Sequence, residues 1–177
     1  MEIFEKEDIE RFIRLFAKRL SEAGISGKIS IVGGAALSVV YIPERLATMD
    51  IDATFPSDPL VDEIINEIAL ENDLPLTWIN SAVTAFIPFE TSQMWVETEK
   101  IGAIQIRYAS AELLLAMKLK ADRGNRDRPD IASLIKLCGL STIEEIEALY
   151  EHFHHQEVLS AKTKSVVLQM LNSPLAD

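Results

Sequence analysis

Cysteine is nearly absent from this chain. Of 177 residues only Cys138 carries a thiol, which excludes an internal disulfide and any cysteine-built zinc site. Bases are short as well: 17 Lys and Arg stand against 28 Asp and Glu, a formal charge of −11. A surface of that sign repels a nucleic-acid backbone over most of its area. Arg123, Arg126 and Arg128 form the one dense basic run, so a local basic cleft stays open. No apolar run reaches the roughly 18 residues a membrane helix needs, so no membrane partner is expected. The opening Met1-Glu2-Ile3-Phe4-Glu5-Lys6-Glu7-Asp8 is too acidic for a secretory signal. With the lone cysteine, this leads to the expectation of a reducing, cytoplasmic setting. What the chain does have is apolar residues, 48% of the total, with a mean hydropathy of +0.12. That is enough for a core and too much for a disordered chain.

Hydrophobic spacing gives the organisation. Ile9, Phe12, Ile13, Phe16 and Leu20 make a helical stripe from about Glu7 to Ala23, stopped by Gly24. Lys28–Val32 reads as a strand ending in Gly33-Gly34, and Ala35–Tyr41 as a small buried helix. Asp50–Phe55 alternates polar and apolar, a half-buried strand with Asp50 and Asp52 on one face. Asp58–Glu71 is an amphipathic helix, and Trp78–Phe89 a loop with a short helical piece. Met94–Val96 and Ile101–Tyr108 read as strands joined by a polar turn. The rest is helical: Ala111–Ala121, a break at Gly124-Asn125, Asp127–Leu137, a helix to about Phe153 opened by a Ser141/Glu144 capping box, and Leu159–Leu171. The expected fold class is α+β with an α/β-like core over residues 1–109 and a C-terminal helical subdomain over 110–177 packed on it.

Chemistry concentrates between Ile31 and Phe55. A strand delivers Gly33-Gly34 to a helix start, where glycine lets backbone approach a phosphate and free N–H groups attract anions. The next strand presents Asp50 and Asp52 side by side, a site for a hard divalent cation such as Mg²⁺ or Mn²⁺. A phosphate cradle next to metal carboxylates is equipment for moving a nucleotidyl or phosphoryl group. Elsewhere the residues read more simply. Asp127, Pro129 and Asp130 suit a helix N-terminus, with Asp127 as its cap. Lys118 can snorkel or pair with Asp122. His152 and His155 share a helix face with no acid or cysteine to complete a metal site, and Cys138 reads as a small core residue.

Gly33-Gly34-x-Ala36-Leu37, Arg45, Thr48 and Asp50-Ile51-Asp52 together resemble the signature of the nucleotidyltransferase superfamily. The likeness is to small bacterial nucleotidyltransferase-like proteins related to AbiEii-type toxins of toxin–antitoxin systems. Leu76–Asn80, Leu114–Lys120 and Arg126–Ile131 are similar to that group too. The resemblance implies a mixed β-sheet flanked by helices. It implies transfer of NMP from an NTP to an acceptor, with RNA, protein and small molecule all open as that acceptor. An antitoxin protein would be the partner. Asp50 and Asp52 would hold the metal, and Gly33, Gly34, Arg45 and Thr48 would bind the nucleotide. Lys118 and Asp130 would be catalytic, with Lys120 and Asp127 as alternates, and Lys118 is expected to reach the cleft of Asp50. The superfamily often carries a third carboxylate on a later strand. Here that strand is Gly102–Arg107, and its polar position is Gln105; Glu97 or Glu99 would serve only in another register. A catalytically weakened nucleotide-binding or regulatory protein on the same fold is therefore the alternative.

Overall fold

The computed structural model describes residues 4–43, 48–88, 94–121 and 123–172. The chain divides into two compact units: Met1–Ala85 with Trp95–Ser110, and Phe86–Met94 with Ala111–Asp177. The fold is mixed α/β; among the described residues the first unit holds one sheet and the second holds helices alone. Among the described residues no helix is long and apolar enough to cross a membrane.

The first unit is built on a five-stranded mixed sheet. Its strands are β1 (Gly27–Ile31), β2 (Ile51–Thr54), β3 (Ile79–Asn80), β4 (Trp95–Ile101) and β5 (Ile104–Ala109), in the spatial order β3-β2-β1-β5-β4. β1 runs antiparallel to β2 and parallel to β5, while β2 and β3 are parallel. One face of the sheet is apolar, with Ile29, Ile31, Ile51, Ala53, Ile79 and Ile106 all buried. Against it packs α1 (Lys6–Glu22), whose buried stripe is the expected Ile9, Phe12, Ile13, Phe16 and Leu20. α3 (Pro59–Glu71) packs on α1, started by the Asp58 carboxylate capping Leu60 N–H at 2.9 Å. Trp78 joins these parts. It is fully buried, touches Phe12 and Phe16 at 5.8 and 6.1 Å between ring centroids, and donates its indole N–H to the Ile65 carbonyl at 3.1 Å.

Three local expectations are corrected. Ala35–Tyr41 is not one regular helix: α2 spans Gly33–Ala36 and passes into a π-helical turn over Leu37–Tyr41. The segment read as a loop with a short helical piece from Trp78 also holds β3; the helical piece is there, as a 3-10 turn over Ala82–Phe86. β4 also continues through the supposed polar turn to Ile101. Its polar stretch is an edge strand, paired on one side only and bulged between Glu97 and Glu99, so it lacks the apolar signal of a central strand. The true turn is Gly102-Ala103, where Gly102 takes φ +55° as a two-residue hairpin requires.

The second unit holds α4 (Ala111–Ala121), a short 3-10 turn (Gly124–Arg126), α5 (Arg128–Leu137), α6 (Ile143–Phe153) and α7 (Ala161–Asn172). α4 is buried nearly all round and packs on both α5 and α6. The capping box of α6 sits one residue later than expected. Thr142 Oγ1 accepts from Glu145 N–H at 3.2 Å, and the Glu145 carboxylate accepts from Thr142 N–H at 3.0 Å. Two backbone N–H donors hold that carboxylate below its ordinary range.

His154, at the end of α6, is 5% exposed, and among the described residues nothing partners its Nε2. Burial first, then the nearby Lys120 ammonium, depresses its pKa below the usual 6.5, against a backbone hydrogen bond at Ala116 and the Glu157 charge.

Two predictions follow from the packing. Trp78→Ala should cost about 3–5 kcal/mol in urea unfolding, the usual price of an emptied aromatic core site, and Trp78→Phe about 1–2 kcal/mol for the lost hydrogen bond and smaller ring. The second concerns acid. Above pH 6.5 His154 is neutral folded or unfolded and adds no pH dependence. Below 6.5 the unfolded state takes up the proton first, so stability should fall on acidification toward the depressed folded pKa. The urea midpoint between pH 6.5 and about 5 should drop in the native protein and drop less in His154→Gln.

Candidate functional site

β1 is apolar at Ile29, Ile31 and Val32, all fully buried, and this anchors the point where the chain leaves the sheet. There Gly33 adopts φ +62°, a left-handed conformation that costs other residues roughly 1–2 kcal/mol. Space restricts the position further. A Cβ on residue 33 would lie 2.9 Å from Asp52 Oδ2 and 3.5 Å from Asp52 Cβ. The Asp52 carboxylate therefore lies directly against the Gly33 backbone. The strands hold it there, since Val32 N–H donates to the Asp52 carbonyl at 2.9 Å. Val32, the residue before α2, offers no side-chain cap to its first turn. Gly34 accepts a hydrogen bond at its carbonyl from the buried Ser38 hydroxyl at 3.0 Å.

Asn80 links the two aspartates. It lies in register with Asp52 across the parallel β2–β3 pair, which puts both side chains on one sheet face. Its Nδ2 donates to Asp50 Oδ2 at 3.1 Å, and its Oδ1 accepts from Ala82 N–H at 3.1 Å, which fixes the amide orientation. Asp50 and Asp52 are both half-buried. Thr48 grips the same segment, its hydroxyl donating to the Asp50 carbonyl at 3.0 Å and its backbone bridging Phe4. Arg45 lies outside the described residues.

The same sheet face carries a buried cation. Ser30 faces Thr54 on one side and Arg107 on the other, and Arg107 Nε donates to Ser30 Oγ at 2.7 Å. The guanidinium also stacks 4.3 Å from the Trp95 ring centroid. Gln105, the expected third position, directs its amide to the Glu99 and Ile106 carbonyls, each at 3.0 Å. Glu99 instead binds Arg14 at 2.7 Å.

In the second unit Lys118 lies between two aspartates. Its Nζ is 2.8 Å from Asp127 Oδ1 and 2.8 Å from Asp130 Oδ2, with all three side chains at most 13% exposed. Asp127 holds the expected N-cap position of α5, and its carbonyl accepts from Ile131 N–H at 2.9 Å, but its side chain makes no capping hydrogen bond; the carboxylate is taken by the ammonium instead. An uncompensated lysine among Leu114, Leu115 and Leu119 would be costly, and the buried aspartates remove that cost. The Asp122 pairing falls outside the described residues. Lys120 binds Glu157 at 2.8 Å, and the Tyr150 hydroxyl donates to the same carboxylate at 3.3 Å. The His152 and His155 rings are 6.4 Å apart between centroids, and among the described residues no cluster of three or more His, Cys, Asp or Glu is arranged for a metal. Cys138 is half-buried, and burial with the Glu112 charge pushes its thiol up to about 12, so it is no nucleophile at neutral pH.

No protein-family profile, curated protein or solved structure matches the chain. The site therefore rests on its own geometry. Two of its residues, Asn80 and Arg107, were not singled out in the sequence for a role. Asn80 closes a segment whose strand is only two residues long, too short for any periodicity. Arg107 sits at the polar step between Ile106 and Tyr108, where a buried arginine and an exposed one look alike.

Gly33→Ala should destabilise the protein by about 1–3 kcal/mol, combining the left-handed strain with displacement of the Asp52 carboxylate. Chemical denaturation reads the loss, and the Asp52 side-chain carboxyl ¹³C resonance should move while that of Asp58, at the start of α3, does not.

Proposed function

We propose that this chain is a metal-dependent nucleotidyltransferase, transferring NMP from an NTP to an acceptor hydroxyl. One observation carries the reading: the Asp52 carboxylate lies against Gly33, with Asp50 tied to the same strand face through Asn80. Two carboxylates on one face suit Mg²⁺ or Mn²⁺, which is commonly held by one or two carboxylates with substrate phosphates and water completing its shell. Asp50 and Asp52 would hold the ion, and the Asn80 hydrogen bond would keep Asp50 oriented. A divalent cation there supplies charge neutralisation on the phosphates and a lowered pKa for the attacking hydroxyl. The start of α2 at Gly33 would receive phosphate oxygens. In the transfer the acceptor hydroxyl would give up its proton to water, its oxygen would bond the α-phosphorus, the bond from that phosphorus to the bridging oxygen of the β-phosphate would break, and pyrophosphate would leave. Lys118 and Asp130 enter this reading through the resemblance alone. An RNA or protein acceptor and an antitoxin partner are the biological form that the resemblance attaches to it.

The alternative of nucleotide binding with little turnover is favoured by one feature. The in-register neighbour of Asp52 is the amide Asn80, and the Gln105 amide is occupied by backbone carbonyls, so no third acid joins the pair among the described residues.

Thermal unfolding with each of the four NTPs plus Mg²⁺ or Mn²⁺ separates the outcomes. NTP and metal together should raise the unfolding temperature, since a ligand selective for the native state stabilises it. Asp52→Asn should abolish that joint effect while leaving the ligand-free transition within a few degrees. Label from an α-³²P-NTP appearing in an acceptor pool supports transfer, whereas a thermal shift without label supports the binding protein. No shift with any nucleotide and either metal defeats both.

A further inference from the structure

The first unit contains a recess on the sheet face opposite Asp52. Ile106 and Tyr108 alternate with Arg107 along β5, so they point away from the aspartate side. Together with α1 and the π-helical turn they enclose a half-open cavity of about 400 Å³, within the range of small-ligand pockets. Ile13, Val39, Val40 and Ile106 give it apolar walls. The π-helical turn contributes Val39 and Val40, and such wide turns recur at functional sites.

Two polar features make this more than a packing gap. The Tyr108 side chain lines the cavity and is 4% exposed, yet among the described residues nothing hydrogen-bonds its hydroxyl. Burial, with the Glu10 and Glu99 charges, pushes the phenol up to about 12, so it keeps its proton at physiological pH. The hydroxyl is not among the buried polar atoms without a partner, so it keeps access to solvent, and a ligand group would take the place of that water. At the mouth, Arg14 is neutralised by Glu99 at 2.7 Å and approached by Glu10 at 3.4 Å, which leaves one negative charge in excess. Both carboxylates retain solvent access, with side-chain exposures of 40% and 29%.

We propose that this cavity binds an organic ammonium: a small amine whose hydrocarbon body lies against Ile13, Val39, Val40 and Ile106, whose cation meets Glu10 and Glu99, and which contacts the Tyr108 hydroxyl. The site is separate from the aspartate pair and does not depend on nucleotide chemistry.

The test is an amide NMR titration of the full chain at pH 7.5 with 2-phenylethylammonium, against 3-phenylpropanoate and 2-phenylethanol as anionic and neutral probes. The ammonium should give saturable shifts confined to α1, the π-helical turn, β4 and β5, and bind more tightly than either control. Glu99→Gln, an exposed change that leaves the core intact, should weaken it about fivefold. Tyr108→Phe should weaken it by about fivefold while leaving unfolding stability equal or higher, an effect that a purely structural tyrosine would not show. Val40→Trp should fill the cavity and remove binding. Absence of saturable shifts, propanoate binding as tight as the ammonium, or undiminished affinity in Glu99→Gln overturns the proposal. So does retained affinity in a folded Val40→Trp.

Discussion

The carboxylate of Asp52 lies 2.9 Å from where a side chain on residue 33 would begin. That closeness sets the local architecture. Residue 33 must be glycine, both for the contact and for a backbone at φ +62°. The antiparallel register of β1 and β2 must place Asp52 beside Val32, which the hydrogen bond from Val32 N–H does. Asn80 then has to come into register from β3, and its amide ties Asp50 to the same face. Trp78, two residues before Asn80, is locked between α1 and α3, so the aromatic core fixes where that short strand lies. Site and core are thus two sides of one sheet, held by the same few backbone hydrogen bonds.

Charge obeys a common rule in both units. The protein is acidic overall, and its buried cations have polar or charged partners. Lys118 is matched by Asp127 and Asp130, and Arg107 by the Ser30 hydroxyl and the face of Trp95. Removing Lys118 would leave two buried carboxylates facing each other without a cation, and breaking a buried ion pair in this way commonly costs about 3–5 kcal/mol. The exposed pairs, such as Arg19 with Glu71, are a different matter, because water and salt screen them.

Much of the fold was legible where side-chain periodicity is strong. The stripe of α1, the extents of β1 and β2, the Asp58 start of α3 and the apolar α4 all follow from spacing. The misread strands share a cause: each depends on a partner distant in sequence. β3 is a strand only because β2 pairs with it, and the polar half of β4 only because β5 does. Asp127 has the sequence of a helix cap, but its carboxylate binds Lys118 on the preceding helix. Local propensity sees the cap and not the ammonium. The capping box of α6 slid by one residue because Ser141 and Thr142 are both suitable caps, and both bind the one carboxylate of Glu145.

The sequence by itself determined the composition of the candidate site: a glycine pair after a buried strand, then two aspartates spaced by one residue on an alternating strand. Those features are local, because a strand's period of two settles which side chains share a face. Tertiary structure decided what that face meets. It placed the Asp52 carboxylate against Gly33, brought Asn80 to Asp50 and Arg107 to Ser30, and left Tyr108 facing a cavity beside the π-helical turn. Each of these contacts joins residues separated by many positions in the chain. Their geometry depends on strand order and register, which no single segment encodes.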